Sequence, residues 1–302
     1  MDGLAFDDLK LFARIAALGS LSAAARERDV PVSQVSRALS RIEERCRARL
    51  LHRSTHGLAL TAEGATFLDY CRRLTSTFEE LEGEFAASSG SPSGRVRIAA
   101  SSVIAEHLLV PGLAGLRDRH PALRIDLDVG DRLLDLVRDG IDIAIRTAVA
   151  LPELQIARQL GSLDRALYAA PAYVQQHGLP TQPEELLAHR LITNSAALVL
   201  NDWPFSIAGE KSTLTVDGDW RTNDTAMTAR MVLQGLGIGR LAVLVGDPLV
   251  RAGRLVRVLD GCVESQPVPI YAVTASARQR LPKIRACIDY WIEWFAQSPH
   301  GG

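Results

Sequence analysis

The sequence predicts two fold classes joined in one chain. An N-terminal winged helix-turn-helix unit, mainly α, carries a long linker helix, and a C-terminal α/β domain of two lobes follows. Three observations lead there. The first sixty residues divide into three helical patterns and a short hairpin. A single long helical stretch then repeats apolar residues at heptad spacing. Beyond a segment rich in Ser and Gly, strands alternate with helices, twice over. A chain of 302 residues has room for two or more domains. The expected boundaries are 1–61, 62–89 and 90–302.

The front unit reads helix, helix, tight turn, helix. The helical pattern over residues 9–18 is followed by Ser20-Leu21-Ser22-Ala23-Ala24-Ala25, the break Asp29-Val30-Pro31-Val32, and Ser33-Gln34-Val35-Ser36-Arg37-Ala38-Leu39. In such an arrangement the second helix braces the third, which can then enter a DNA major groove. Charge supports this reading. Between Arg26 and Arg53 stand eight arginines and four acids, a local +4 in a chain of net charge -1. A basic patch on a mildly acidic chain is the footprint of a modular DNA binder, and a solvated Arg-rich helix face is the alternative. Residues 50–60 then read as two short strands about Gly57, a wing. Arg53 stands where a wing reaches the minor groove, or pairs with Glu43 or Glu44 at the surface.

Thr61 suits a helix N-cap and Glu63 the first turn. The helix runs to about Ala87, and Phe67, Cys71, Leu74, Phe78, Leu81 and Phe85 recur at alternating steps of four and three. That seam predicts pairing with a second copy, through Phe67, Leu74, Phe78, Leu81 and Phe85. A dimer would present two reading helices to two half-sites. Ser88-Ser89-Gly90-Ser91-Pro92-Ser93-Gly94 is linker by composition.

Next, Val96, Ile98 and Ala100 alternate as a strand, and a helix is expected over about 106–119, interrupted near Pro111. Residues 123–129 alternate again, 131–139 read as helical, and 141–146 as a third strand. Strand, helix, strand, helix, strand indicates a parallel sheet. A second set starts at Leu167 and closes with a strand over 268–274 and a helix over 281–296, which could return to the first lobe. The lobes are expected at about 95–165 with 268–298, and 166–267.

Ligands of such sheets sit outside the carboxyl ends of the strands, near helix N-termini. Ser101, Ser102 and Val103 follow the first strand, and Arg146 and Thr147 end the third. Asn194 and Ser195 end a strand of the second lobe, and Asn223, Asp224 and Thr225 begin its helix. These ten are the candidate ligand residues, and the hydroxyls, amides and Arg146 suit a small anion. N-capping by Ser102 and Asp224, and an interlobe ion pair for Arg146, are the alternatives. Trp203 is either a cleft wall or a lobe-surface anchor.

The residues of the front unit resemble the LysR-type transcriptional regulators. The resemblance runs from Leu9-Lys10-Leu11-Phe12 through Gly19 to Ala25, Val35-Ser36-Arg37-Ala38-Leu39, Ile42-Glu43 and Leu50-Leu51-His52-Arg53 to Leu60-Thr61-Ala62-Glu63-Gly64. The remainder is similar to the family's effector domain, which resembles type 2 periplasmic binding proteins. Gly94-Arg95-Val96-Arg97-Ile98, His120-Pro121, Asp142-Ile143-Ala144-Ile145-Arg146 and Gly235-Leu236-Gly237-Ile238-Gly239 carry that likeness. The resemblance implies a regulator of double-stranded promoter DNA, controlled by a small-molecule effector. It implies a homodimer assembling to a homotetramer, with RNA polymerase a candidate partner. Ser20, Ser22, Val32, Ser33, Ser36, Arg37 and Arg53 would face DNA. Ser20 and Ser22 could instead only cap the second helix. Where the family commonly opens its reading helix Ser-Gln-Pro, this chain has Pro31-Val32-Ser33. An amide able to pair with adenine is replaced by a side chain suited to a thymine methyl.

Enzyme classes find no support. The seven histidines form no HExxH pattern, and neither a GxSxG elbow nor a P-loop occurs. The glycines at 235, 237 and 239 follow a helix and precede a strand, the reverse of a nucleotide loop. No metal site and no cofactor are expected. Cys46, Cys71, Cys262 and Cys287 read as small apolar residues of a reducing compartment, with Cys262 the nearest to a redox candidate. Asp2, Asp7 and Asp8 precede any apolar stretch, so no signal peptide and a cytoplasmic location are expected, with no membrane partner.

Overall fold

The first three helices form where the sequence supplies their ends. α1 (Phe6–Leu18) starts with the Asp8 carboxylate accepting the Ala5 N–H at 3.1 Å and stops at Gly19, whose φ of 60° places it in the left-handed region. Ser20 caps α2 (Leu21–Glu27), its Oγ accepting the Ala23 N–H at 3.3 Å. Asp29, at φ 53°, makes the tight turn, after which α3 runs from Val32 to Cys46. In the computed structural model residues 3–54, 57–86, 92–132, 134–136, 139–148, 155–275 and 281–297 are described. The chain divides into two units, one carrying Met1–Ser89 with Val137–Gly140, the other Gly90–Leu136 with Ile141–Gly302.

In the first unit Leu11, Phe12, Ile15, Ala24, Val35 and Ile42 are buried together, so the three helices share one small core. Asp8 is also buried there, with Arg41 at 2.7 Å and Arg45 at 3.5 Å. Burial pushes its carboxyl up, but the bonds from Arg41 and the Ala5 N–H and the two positive charges outweigh that, leaving it below the usual carboxylate range. The wing is an antiparallel pair, β1 (Leu51–Ser54) and β2 (Gly57–Leu60), in register Leu51↔Leu60 to Ser54↔Gly57. Glu43 anchors its entry by accepting the Leu50 and Leu51 N–H groups at 2.8 and 3.2 Å. α4 (Ala62–Ala86) is capped by Thr61, whose Oγ1 accepts the Gly64 N–H at 2.8 Å.

The second unit holds two five-stranded sheets. The first has the order β4-β3-β5-β14-β6, from β3 (Gly94–Ala100), β4 (Leu123–Val129), β5 (Ile143–Thr147), β6 (Gln155–Leu163) and β14 (Val268–Ala275). β3 lies parallel to β4 and β5, but β14 runs antiparallel to β5 and β6. The expected parallel sheet is therefore mixed. β14 comes back into the first sheet, and α10 (Pro282–Gln297) packs Ile284, Cys287, Trp291 and Phe295 into its core. The helical run after β3 begins earlier than expected. α5 (Ser102–Ile104) continues through a π turn and a 3₁₀ turn at Pro111 into α6 (Leu113–Arg119). Residues 131–139, expected as a helix, form bends and turns where described. Leu136 is buried with Ile141, so their apolar pattern fills a gap instead of lining a helix face.

The second sheet has the order β11-β8-β12-β7-β13. It is built from β7 (Arg165–Ala169), β8 (Leu191–Asn194), β11 (Trp220–Thr222), β12 (Ile238–Ala242) and β13 (Val256–Val258). α7 (Pro171–His177), α8 (Thr225–Leu233) and α9 (Val243–Arg251) connect its strands. A separate hairpin, β9 (Asp202–Ile207) with β10 (Glu210–Thr215), sends Trp203 and Phe205 into the core beside Leu167 and Ile238.

Candidate functional site

Two sites arise, one in each unit. On α3, Val35, Leu39 and Ile42 are buried on one face, which turns Val32, Ser33, Gln34 and Arg37 outward. Ser36 is half-buried between the faces. Arg37 Nε donates to the Ser33 carbonyl at 3.3 Å, holding the guanidinium along the exposed first turns. Ser20 is half-buried in its cap, whereas Ser22 is exposed and its carbonyl accepts from Arg26 at 3.4 Å. The Arg53 backbone pairs with Leu58 in the wing, and its side chain lies outside the described residues. The sequence reading missed Gln34. Its amide is exposed in the same turn as Val32, a placement that only the helical phase of α3 reveals.

Along α4 the heptad row divides. Phe67 is half-buried, edge-on to Phe12 at 5.0 Å, and Cys71 is buried, so both serve the core of their own unit. Leu74, Phe78 and Leu81 keep 51%, 38% and 48% of their surface exposed. Phe78 rests one side on Phe6, with ring centroids 4.4 Å apart. The Phe85 side chain lies outside the described residues.

The second site is a cleft of about 450 Å³ between the two sheets of the C-terminal unit. Six of the ten candidates line it: Ser101, Val103, Arg146, Thr147, Asn194 and Thr225. Ser102 and Asp224 do not. They bond to each other, hydroxyl to carboxylate, across the two sheets, and Asp224 Oδ1 also caps α8 through the Met227 N–H at 2.7 Å. Ser195 and Asn223 are exposed and stand outside the lining. Trp203 is a wall of the cleft and is fully buried, which settles its two readings.

Several lining residues went unread in the sequence. Asp131 accepts the Ser102 N–H at 3.3 Å and the Thr225 N–H at 2.7 Å, so one carboxylate joins the start of α5 to the start of α8. Arg132, Arg165, Arg240 and Asn201 also line the cleft. Burial pulls Arg146 down from its ordinary value. Burial also lowers Arg165, against the charges of Asp131 and Asp164. Arg240 falls to about 10, through burial and then the charge of Arg165, which leaves it a cation at neutral pH. The buried thiols of Cys71 and Cys287 are each pushed up to about 12, chiefly by burial, and are poor nucleophiles. Among the described residues no group of three or more His, Cys, Asp or Glu side chains could hold a metal. No described helix is long and apolar enough to cross a membrane.

A winged helix-turn-helix in one unit and a two-sheet cleft in the other define a DNA-binding regulator with a ligand-binding domain, and comparison with known proteins agrees. Residues 6–65 match the bacterial regulatory helix-turn-helix protein, lysR family, and residues 89–296 the LysR substrate binding domain. The chain belongs to the LysR family of transcriptional regulators. An HTH-type transcriptional regulator of Xanthomonas campestris is 32% identical over 291 residues, 95% of this chain and 84% of that protein. The HTH-type transcriptional activator AaeR of Escherichia coli is 29% identical, over 96% of this chain and 93% of its own. The full-length Vibrio cholerae virulence activator AphB superposes with a TM-score of 0.67 at 26% identity, covering 96% of this chain and 99% of AphB. CrgA of Neisseria meningitidis gives 0.63 at 26% identity, with the same coverage.

Proposed function

We propose that this regulator reads double-stranded promoter DNA as a homodimer and is controlled by a small anionic effector held between the two sheets of its C-terminal unit. The cleft carries the proposal, since its apolar walls converge on a few basic and amide groups, as ligand sites do. In this reading residues 1–61 read DNA, 62–89 pair the copies, and 90–302 sense the effector. Arg37, Ser33, Ser36, Val32 and Gln34 meet base edges or phosphates, and Ser20, Ser22 and Arg53 flank them. Pairs of dimers form a tetramer in the cytoplasm, with RNA polymerase a partner at the promoter. The chain acts by binding, without catalysis.

Asp131 and the Ser102–Asp224 bond tie the two sheets together at the cleft. An effector that exchanges those ties for its own contacts shifts the closure of the lobes, and closure shifts the spacing of the DNA-binding pairs. Fluorescence anisotropy with the DNA upstream of the protein's own coding region, against a shuffled duplex at fixed salt, tests the DNA half. Preference for the native duplex is the expected result. Absence of binding to either duplex at low salt would overturn the reading.

Two substitutions separate the sites. Arg37→Ala should weaken operator binding by about 1–3 kcal/mol, the range for a good base contact, while the C-terminal unit keeps its unfolding transition. Unchanged operator affinity would remove α3 as the reading helix. Arg146→Ala should alter the effector response and leave effector-free DNA affinity unchanged. Equal loss of both would mean that Arg146 supports the fold instead.

A further inference from the structure

Beyond placing an effector in the cleft, the side chains around it indicate what that molecule is. Four arginines and one aspartate line the cleft, and the aspartate is already engaged by two backbone N–H groups. The arginines are not evenly spread. Arg240 pairs with Leu167 in the β12–β7 ladder, and Arg165 lies two residues before Leu167, so both cations stand on the same face of the second sheet. They are close enough for the charge of Arg165 to disfavour that of Arg240. Arg240 Nη1 donates to the Asp202 carbonyl at 3.2 Å, while its buried Nε has no partner among the described residues. No hydrogen bond among the described residues uses the Arg165 guanidinium. Arg146 reaches the same cleft from the first sheet, at the end of β5.

Asn194 adds an oriented donor. Its Oδ1 accepts the Ala196 and Ala197 N–H groups at 2.8 and 2.7 Å, and Asn201 fixes its backbone by two further bonds. The amide therefore cannot flip, and its Nδ2 is left as a buried, unpartnered donor in a residue only 5% exposed. The Thr225 hydroxyl is also buried and unpartnered. Each of these three cleft atoms can donate a hydrogen bond, and none is a carbonyl or carboxylate oxygen. Buried donors left unpaired are unfavourable, and a ligand rich in acceptors relieves that.

We infer that the cleft recognises a small dicarboxylate, with one acid group held by Arg165, Arg240 and Asn194 on the second sheet and the other by Arg146 on the first. The inference rests on the reading that the effector binds in this cleft. Arginine suits the role because its planar fork matches a carboxylate. One acid group on each sheet makes the molecule a strut between the lobes, and a monoacid of the same skeleton can hold only one of them.

The test is isothermal titration of the full-length protein with succinate, glutarate, adipate and terephthalate, each against its monoacid counterpart (butyrate, valerate, hexanoate and p-toluate). At least one diacid should bind about tenfold or more tightly than its monoacid, a difference of about 1.4 kcal/mol. That preference should collapse in Arg240→Gln and in Arg146→Gln and partly survive in Arg240→Lys, with circular dichroism confirming that each variant folds. Equal affinity for diacids and monoacids, a preference that persists in Arg240→Gln, or no diacid binding at millimolar concentration would each overturn the inference. Its failure is distinguishable from failure of the cleft reading. A neutral or cationic compound that shifts operator affinity, and loses that effect in Thr225→Val, would leave the cleft standing and reject the dicarboxylate. Diacid binding unaffected by Arg146→Gln, Arg240→Gln and Thr225→Val alike would reject both.

Discussion

Gly64→Ala is expected to unfold the N-terminal unit and abolish operator binding while the C-terminal unit stays folded. Gly64 sits buried in the first turn of α4. A Cβ built there would lie 1.9 Å from the Leu50 carbonyl oxygen, 2.8 Å from its carbon and 3.2 Å from its Cα. All three are backbone atoms, so no side chain can rotate away. Nor can the Leu50 segment retreat. Its N–H and that of Leu51 are held by Glu43, its carbonyl accepts the Thr61 N–H at 3.0 Å, and the Leu50 side chain is buried in the core. Overpacking of a well-filled site costs about 1–3 kcal/mol, and a backbone clash fixed from both sides belongs at or beyond the upper end. A small helical unit has little stability to spare. Far-UV circular dichroism and anisotropy would report the loss, and Gly261→Ala is the control, because nothing lies within 4 Å of its Cβ position. Near-native helicity and operator affinity in Gly64→Ala would show that the α4–wing junction yields more than its hydrogen bonds imply.

What could be read from the sequence divides along physical lines. The front unit was legible because its signals are local. Ser20 and Thr61 cap the helices that follow them, and the apolar spacing of α3 and α4 matches their helical period. β6 was not legible. It lies at an edge of the first sheet and exposes Arg158 and Gln159 in succession, so it shows no clean alternation. The pattern over 131–139 has apolar residues that serve as plugs, and periodicity cannot tell a plug from a helix face. The cleft was half-legible. Strand ends and helix starts pointed to Ser101, Arg146, Asn194 and Thr225, because that rule depends on order along the chain. Asp131 bonds Thr225, 94 residues away, and Arg165 meets Arg240 through an antiparallel pairing that no local pattern announces. Placing both in the cleft required the tertiary fold.

Leu74→Asp with Leu81→Asp should convert the protein to monomers and lower operator affinity by about a hundredfold or more. The heptad row on α4 invited the simple reading that Phe67, Leu74, Phe78, Leu81 and Phe85 all meet a partner. Phe67 and Cys71 are instead spent within their own unit, against Phe12 and the three-helix core. Leu74 and Leu81 lie seven residues apart on one face, each about half exposed, with Phe78 between them. Single exposed apolar side chains are ordinary, but a row at heptad spacing is what a second helix would cover. Facing carboxylates at two levels of such a seam would have to be buried unpaired, which outweighs the remaining apolar contact. Neither leucine belongs to the core of its own unit, so the monomer should keep its fold. Two reading helices on one particle gain affinity by effective concentration, commonly a factor of about 10²–10⁴, and that factor disappears with the dimer. Sedimentation velocity and anisotropy on the same preparation would measure both effects. Phe67→Ala should do the reverse, lowering the stability of the unit and leaving the oligomer intact, because its ring packs inward. A double aspartate variant that remains dimeric and binds operator as the unaltered protein does would place the pairing surface away from α4.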